Sequence, residues 1–159
     1  MARPRAIEGL DARRPYAEAA SRIVAVRAAE VAEHSRGVLD LGDIERVHDM
    51  RVATRRLRAA LEIFEPCFPR RLLRAALRDV KRLADALGER RDRDVAIGTL
   101  EQFGRRMPAV DRAGIGSLVA ELRREQVEAN DALAALVTEE RLAALSERMR
   151  ELLAAAATS

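Results

Sequence analysis

One histidine and three arginines are spaced so that a helix would carry them on a single flank. His48, Arg51, Arg55 and Arg58 follow one another at intervals of three, four and three residues. At about 100° per residue they fall within an arc of roughly 80°. Guanidinium groups bind phosphate oxygens through paired hydrogen bonds, so this flank is suited to a polyanion. Arginine stems also commonly cover the edge of a core while their heads stay in water, and the spacing alone leaves both interpretations open.

The same segment contains the apolar stripe that would hold such a helix in place. The stripe recurs every three or four residues, which is typical of a helix packed against partners. A second basic flank accompanies the next predicted helix, and the short connection makes the two helices antiparallel neighbours. Two facing flanks would form a groove suited to a linear anion. The stripe is Val47, Met50, Thr54, Leu57, Leu61 and Phe64, and the second flank is Arg70, Arg74, Arg78 and Lys81.

The remaining periodicity predicts an all-α protein, an antiparallel bundle of about six helices. Gly88 is expected to close the third helix, and Asp92 and Asp94 are expected to cap the start of the fourth. Residues 1–14 are expected to be a flexible segment ahead of a single domain over residues 15–159. The predicted helices run from Pro15 to Gly37, Asp43 to Glu65, Arg70 to Leu87, Asp92 or Asp94 to Gly104, Asp111 to Val137, and Thr138 to Ala155.

Charge is distributed unevenly along the chain. Residues 44–93 contain 14 basic and 8 acidic side chains, a net of +6, whereas the remainder carries a net of −3. Such asymmetry within one small domain favours a polyanion-binding surface. The apolar runs are too short for a membrane span, which predicts a cytoplasmic protein. Cys67 is the single cysteine, so no internal disulfide is expected.

Other chemistries fit the sequence less well. Glu45 and His48 have the E-x-x-H spacing of carboxylate-bridged metal sites, but a second such pair is missing and neighbouring arginines would repel a dication. Paired catalytic carboxylates, a serine elbow and a phosphate-binding glycine loop are also missing. We therefore expect no enzyme, metal or cofactor. Nucleic-acid binding is the strongest alternative, although few aromatic residues are present for stacking on bases.

Two motifs resemble the CHAD family, the conserved histidine α-helical domain. They are H-x-x-R-x-x-x-R-R-L-R at residues 48–58 and LGERRDRDV at residues 87–95. The resemblance implies an all-helical domain that binds inorganic polyphosphate through basic side chains, without catalysis. It also implies a link to polyphosphate granules or to a CYTH-type enzyme as partner. The contacts carried over are His48, Arg51, Arg55, Arg56, Arg58, Lys81 and Arg91, to which the facing flank adds Arg74 and Arg78.

The sequence departs from the family pattern in one respect. A full CHAD domain has two helical halves, each with a basic motif, whereas no second H-x-x-R follows Arg93. The chain therefore corresponds to one CHAD-like half. Two copies related by a two-fold axis would place the same basic surface on both sides, which predicts a homodimer. Such a dimer should leave an exposed apolar patch on each isolated copy.

Overall fold

The computed structural model describes residues 3–156, and this part of the chain forms five α-helices and a short 3₁₀ turn. The all-α expectation is confirmed. The helices are α1 (Tyr16–His34), α2 (Ile44–Ile63), α3 (Arg70–Gly104), α4 (Ala109–Ala134) and α5 (Glu139–Ala156), with the 3₁₀ turn (Glu65–Cys67) between α2 and α3.

The long helix α3 replaces the two helices that the sequence predicts. It continues through Gly88, which keeps a helical backbone, and ends only at Gly104. A glycine inside a helix costs only about 1 kcal/mol relative to alanine, and packing against α4 outweighs this cost. Asp92 and Asp94 therefore lie inside α3, and the prediction that they cap a helix is wrong.

Four of the helices enclose the core. α1 packs against α2 and α5, and α3 packs against the same two helices, so the four form a closed antiparallel bundle. The predicted stripe of α2 faces this core. Five of its residues are buried and Phe64 is partly buried. Its buried members meet Val24 and Val31 of α1, Leu73 and Val80 of α3, and Leu152 of α5 in one cluster.

The remaining helix, α4, packs along the second half of α3. The two form a hairpin joined by ion pairs at two levels, and within α4 only Gln126 and Leu133 are buried. Arg93 Nε lies 3.3 Å from Glu125 Oε2, and Arg123 Nη2 lies 2.5 Å from Glu101 Oε1. The hairpin thus extends one corner of the bundle.

Several predicted helix boundaries are close to the observed ones. Pro15 precedes the first residue of α1, and Gly37 has a φ of 69° in the turn that follows this helix. Thr138 Oγ1 accepts a hydrogen bond from the Arg141 amide at 3.2 Å, which confirms it as the cap of α5. Asp43 precedes α2, but its carboxylate contacts the Arg46 side chain instead of a helix amide.

The segment around Arg5 lies against α1. The Arg5 amide donates to Glu30 Oε1 at 2.6 Å, and the Arg5 side chain contacts Glu33. Flexibility of residues 1–14 stays a prediction. Residues 1–2, and residues 157–159 at the end of the expected domain, lie outside the described part of the chain. No helix among residues 3–156 is both long and apolar enough to cross a membrane.

Candidate functional site

The basic flank of α2 stays at the surface because the apolar stripe beside it is buried. Val47, Met50, Leu57 and Leu61 are completely inaccessible to solvent. His48, Arg51 and Arg58 are half-buried beside this stripe, and Arg55 is exposed. The stems of these arginines cover the core edge while the heads remain reachable. This placement is compatible with both interpretations of the sequence pattern, and binding of a polyanion by these residues stays a prediction.

Arg91 fixes the position of α3 against α2. Its Nη1 donates a hydrogen bond to the Ile44 carbonyl oxygen at 3.1 Å, and its Nη2 lies 3.7 Å from Glu45 Oε1. The first turn of α2 is thereby level with the middle of α3. The guanidinium of Arg91 is largely committed to this contact, so it joins the two helices as well as contributing charge.

The antiparallel packing brings the two basic flanks together. Arg55 lies eleven residues beyond Ile44, and eleven residues before Arg91 lies Val80. Counted in this way, Arg55 is level with Val80, one residue before Lys81, and Arg58 is level with Leu77, one residue before Arg78. Helical spacing also places Arg74 on the Lys81 side of α3. We call the surface formed by His48, Arg51, Arg55, Arg58, Arg74, Arg78 and Lys81 the basic groove.

Most cations of the basic groove lack a carboxylate partner. Within residues 3–156, no salt bridge is formed by Arg51, Arg55, Arg74, Arg78 or Lys81. Arg58 is the exception, since its Nε lies 2.8 Å from Glu62 Oε1. Elsewhere many arginines are paired, including Arg5, Arg14, Arg22, Arg27, Arg46, Arg93, Arg123, Arg148 and Arg150. Five cations without a carboxylate partner thus share this surface, and other arginines without a salt bridge among the described residues, such as Arg105 and Arg124, lie elsewhere.

Arg56 belongs to the sequence motif but not to the basic groove. It is half-buried, and helical geometry turns it about 100° from Arg55, toward the opposite flank of α2. Its side chain is therefore directed away from the surface that the other arginines share. Among the residues proposed from the motif, Arg56 is the one that the fold separates from the rest.

A buried polar cluster underlies the second motif. Arg90 is completely buried, and its Nη2 lies 3.3 Å from Asp94 Oδ1. Gln126 Nε2 of α4 donates to the same carboxylate oxygen at 2.6 Å. None of the three Arg90 nitrogens has a hydrogen-bond partner in the described structure. Burial raises the pKa of Asp94 and lowers the pKa of Arg90.

The sequence analysis missed Arg90 and Gln126. Asp94 was singled out as a cap, but it holds α3 to α4 from inside the helix. Asp92, which is exposed, has no such contact. The available signal was the spacing of Arg90 and Asp94, four residues apart, which places them on one helix face. The cluster lies beside Arg91 and so supports the helix that presents the basic groove.

Three potential metal ligands also meet at the start of α2. One ligand atom each from Glu45, His48 and Asp49 lies within 4.8 Å of the other two. The positive end of the helix and the Arg91 guanidinium 3.7 Å from Glu45 both oppose a cation there. We therefore assign no metal to this cluster.

Fold and site together define an all-helical domain with a basic, carboxylate-poor groove. The CHAD domain model matches residues 22–159. The chain belongs to the CHAD domain family. A crystal structure of the CHAD domain from the plant Ricinus communis superposes with a TM-score of 0.73 and 26% sequence identity. This match covers 100% of the present chain and 53% of the plant chain, so the chain spans about half the length of that structure. A comparison with curated proteins gives no match.

Proposed function

We propose that the protein binds inorganic polyphosphate along the basic groove. Membership in the CHAD family supports polyphosphate as the ligand. The observation that carries the proposal is the pair of arginine-rich flanks, most of whose cations lack a carboxylate partner. Polyphosphate has about one negative charge per internal phosphate, so successive guanidinium groups can each bind one unit. Association with polyphosphate granules would follow from the same contacts.

The shape of the groove favours a linear ligand. His48 to Arg58 spans eleven residues of α2, which corresponds to about 15 Å at 1.5 Å per residue. Lys81 and Arg78 lie on α3, which forms the opposite wall of the groove. A compact anion would contact only part of this row, whereas a chain of phosphates can contact both walls.

Competition between polyanions tests the proposal. The purified protein is titrated with long-chain polyphosphate, duplex DNA and RNA at matched phosphate concentration and physiological salt. We expect polyphosphate to bind in excess DNA, and the variant Arg51→Ala/Arg55→Ala/Arg58→Ala to lose at least about tenfold in affinity, because charge-assisted hydrogen bonds each contribute about 1.5–3 kcal/mol. Circular dichroism checks that the variant keeps its helical content.

The control removes the same charge elsewhere. Arg105, Arg106 and Arg124 are exposed residues at or near the hairpin of α3 and α4, and all three are changed to alanine. Polyphosphate affinity should change much less in this control than in the groove variant. Equal losses of polyphosphate affinity in both variants would show that net charge, and not the groove, determines binding. Equal affinity for all three polyanions would favour the nucleic-acid alternative.

We also propose that two copies associate through the hairpin. Leu100 lies seven residues after Arg93, and Leu118 lies seven residues before Glu125. Seven residues are about two helical turns, so both leucines lie on the flank of the hairpin that carries the Arg93–Glu125 ion pair. Leu118 on this flank is 48% exposed, Phe103, three residues beyond Leu100, is 50% exposed, and Val110 at the tip is 82% exposed. A second copy supplies the matching apolar surface. The combined length is then close to that of the plant CHAD structure, of which one copy covers 53%.

Light scattering during gel filtration tests this association. The chain should elute as a dimer, and Phe103→Glu/Leu118→Glu should elute as a monomer. Val127→Glu serves as the control, because Val127 is also exposed but projects to the other side of α4. A monomeric wild-type protein would contradict the dimer without affecting the groove. Recruitment of a CYTH-type enzyme stays a prediction.

A further inference from the structure

A small cavity lies between α3 and the start of α5, outside the basic groove. Its volume is about 110 Å³. Leu83, Leu142 and Leu145 contribute apolar walls, and the side chains of three arginines line the remainder. The arginines are Arg82 of α3 and Arg141 and Arg148 of α5. We call this cavity the α3–α5 pocket.

The charges around the α3–α5 pocket are only partly balanced. Arg148 Nε lies 2.6 Å from Asp79 Oδ2. For the Arg82 and Arg141 side chains, no salt bridge occurs among the residues that the structure describes. Three arginines against one aspartate leave the pocket with a net charge of +2. Like charges held together in a partly enclosed space favour binding of an anion.

We propose that the α3–α5 pocket binds a single phosphate group. The small volume selects a compact anion, and guanidinium forks suit the oxygens of a phosphate. Two sources share this chemistry, namely free orthophosphate and the terminal phosphate of a polyphosphate chain. The second source rests on the proposed function. Arg82 directly follows Lys81, so the exposed back of α3 connects the pocket to the basic groove.

Amide chemical shifts in ¹⁵N-labelled protein test the proposal. Orthophosphate should shift the amides of Leu142 and Leu145 in a saturable way. Arg82→Ala/Arg141→Ala should weaken this binding at least about tenfold, because two charged donors are lost. Asp79→Asn should strengthen it, because the carboxylate that competes for Arg148 is removed. General charge attraction would give the same two signs, so a control that removes equal charge outside the pocket is needed.

The controls separate this pocket from the basic groove. Arg124→Ala/Arg150→Ala removes two exposed arginines outside the pocket and should leave orthophosphate binding unchanged. The groove variant Arg51→Ala/Arg55→Ala/Arg58→Ala should also leave it unchanged, even where polyphosphate binding is lost. If tripolyphosphate alone shifts the pocket amides, the terminal phosphate is the ligand. If neither anion does so, or if the shifts persist in Arg82→Ala/Arg141→Ala, the proposal is wrong.

Discussion

The buried ion pair of Arg90 and Asp94 makes a strong prediction about stability. Arg90→Met should lower the free energy of unfolding by about 3–5 kcal/mol at neutral pH, because one member of a buried pair is left without a counter-charge. In the structure the remaining carboxylate of Asp94 would keep only the hydrogen bond from Gln126 at 2.6 Å. A loss of this size is a large part of the 5–15 kcal/mol typical of a domain.

The double variant Arg90→Met/Asp94→Asn tests whether the loss of stability comes from the unpaired charge. It removes both charges, eliminates the three Arg90 nitrogens that lack partners, and keeps an oxygen that can accept from Gln126. Replacing a buried pair with uncharged groups is often neutral or stabilising by about 1–4 kcal/mol. The double variant should therefore be at least as stable as the wild type, although the single variant is much less stable.

Urea denaturation followed by circular dichroism measures these free energies. Similar slopes of the unfolding free energy against urea concentration would show that the variants unfold over the same surface. A single variant as stable as the wild type would refute the reasoning. So would a double variant less stable than the single. If Arg90→Met fails to fold, the comparison of wild type with the double variant still decides the question.

Three further predictions concern α3 and α5. Burial raises the pKa of Asp94 above its ordinary 3.8, so the folded protein binds a proton more readily than the unfolded chain. The wild type should therefore lose stability relative to Arg90→Met/Asp94→Asn as the pH rises from 3.8 through the raised pKa. Denaturation curves at several pH values measure this difference. Gly88→Ala should raise the free energy of unfolding by about 0.5–1 kcal/mol, because the backbone there is helical and an added Cβ meets no atom within 4 Å; a loss would contradict this. Thr138→Ala should lower the thermal midpoint by a few degrees, since a helix cap contributes about 1 kcal/mol, and an unchanged midpoint would show that the Arg141 amide has another acceptor.

The sequence was sufficient for the parts of the structure that depend on local periodicity. The stripe of α2 repeats every three or four residues, so its buried face could be predicted from the chain alone. The same holds for the basic flank, because its position follows from the position of the stripe. The short connection between α2 and α3 then required these two helices to be antiparallel neighbours.

The middle of α3 could not be predicted in the same way. Gly88 followed by two aspartates, Asp92 and Asp94, has the local features of a helix end and a new start. Whether the helix continues depends on α4, because Gln126 of α4 donates a hydrogen bond to Asp94 from 32 residues further along the sequence. Burial of Arg90 likewise depends on this contact between distant segments. Tertiary packing therefore decides between one long helix and two short ones.

The salt dependence of polyphosphate binding is the most direct test of the central claim. Each phosphate contact on a single-stranded polyanion contributes about 0.7 to the slope of log affinity against log salt concentration. The account predicts that Arg51→Ala/Arg55→Ala/Arg58→Ala reduces this slope by about 2, relative to the wild type and to the charge-matched hairpin control. An unchanged slope would show that these arginines do not contact the polyphosphate chain, and would contradict the proposed groove.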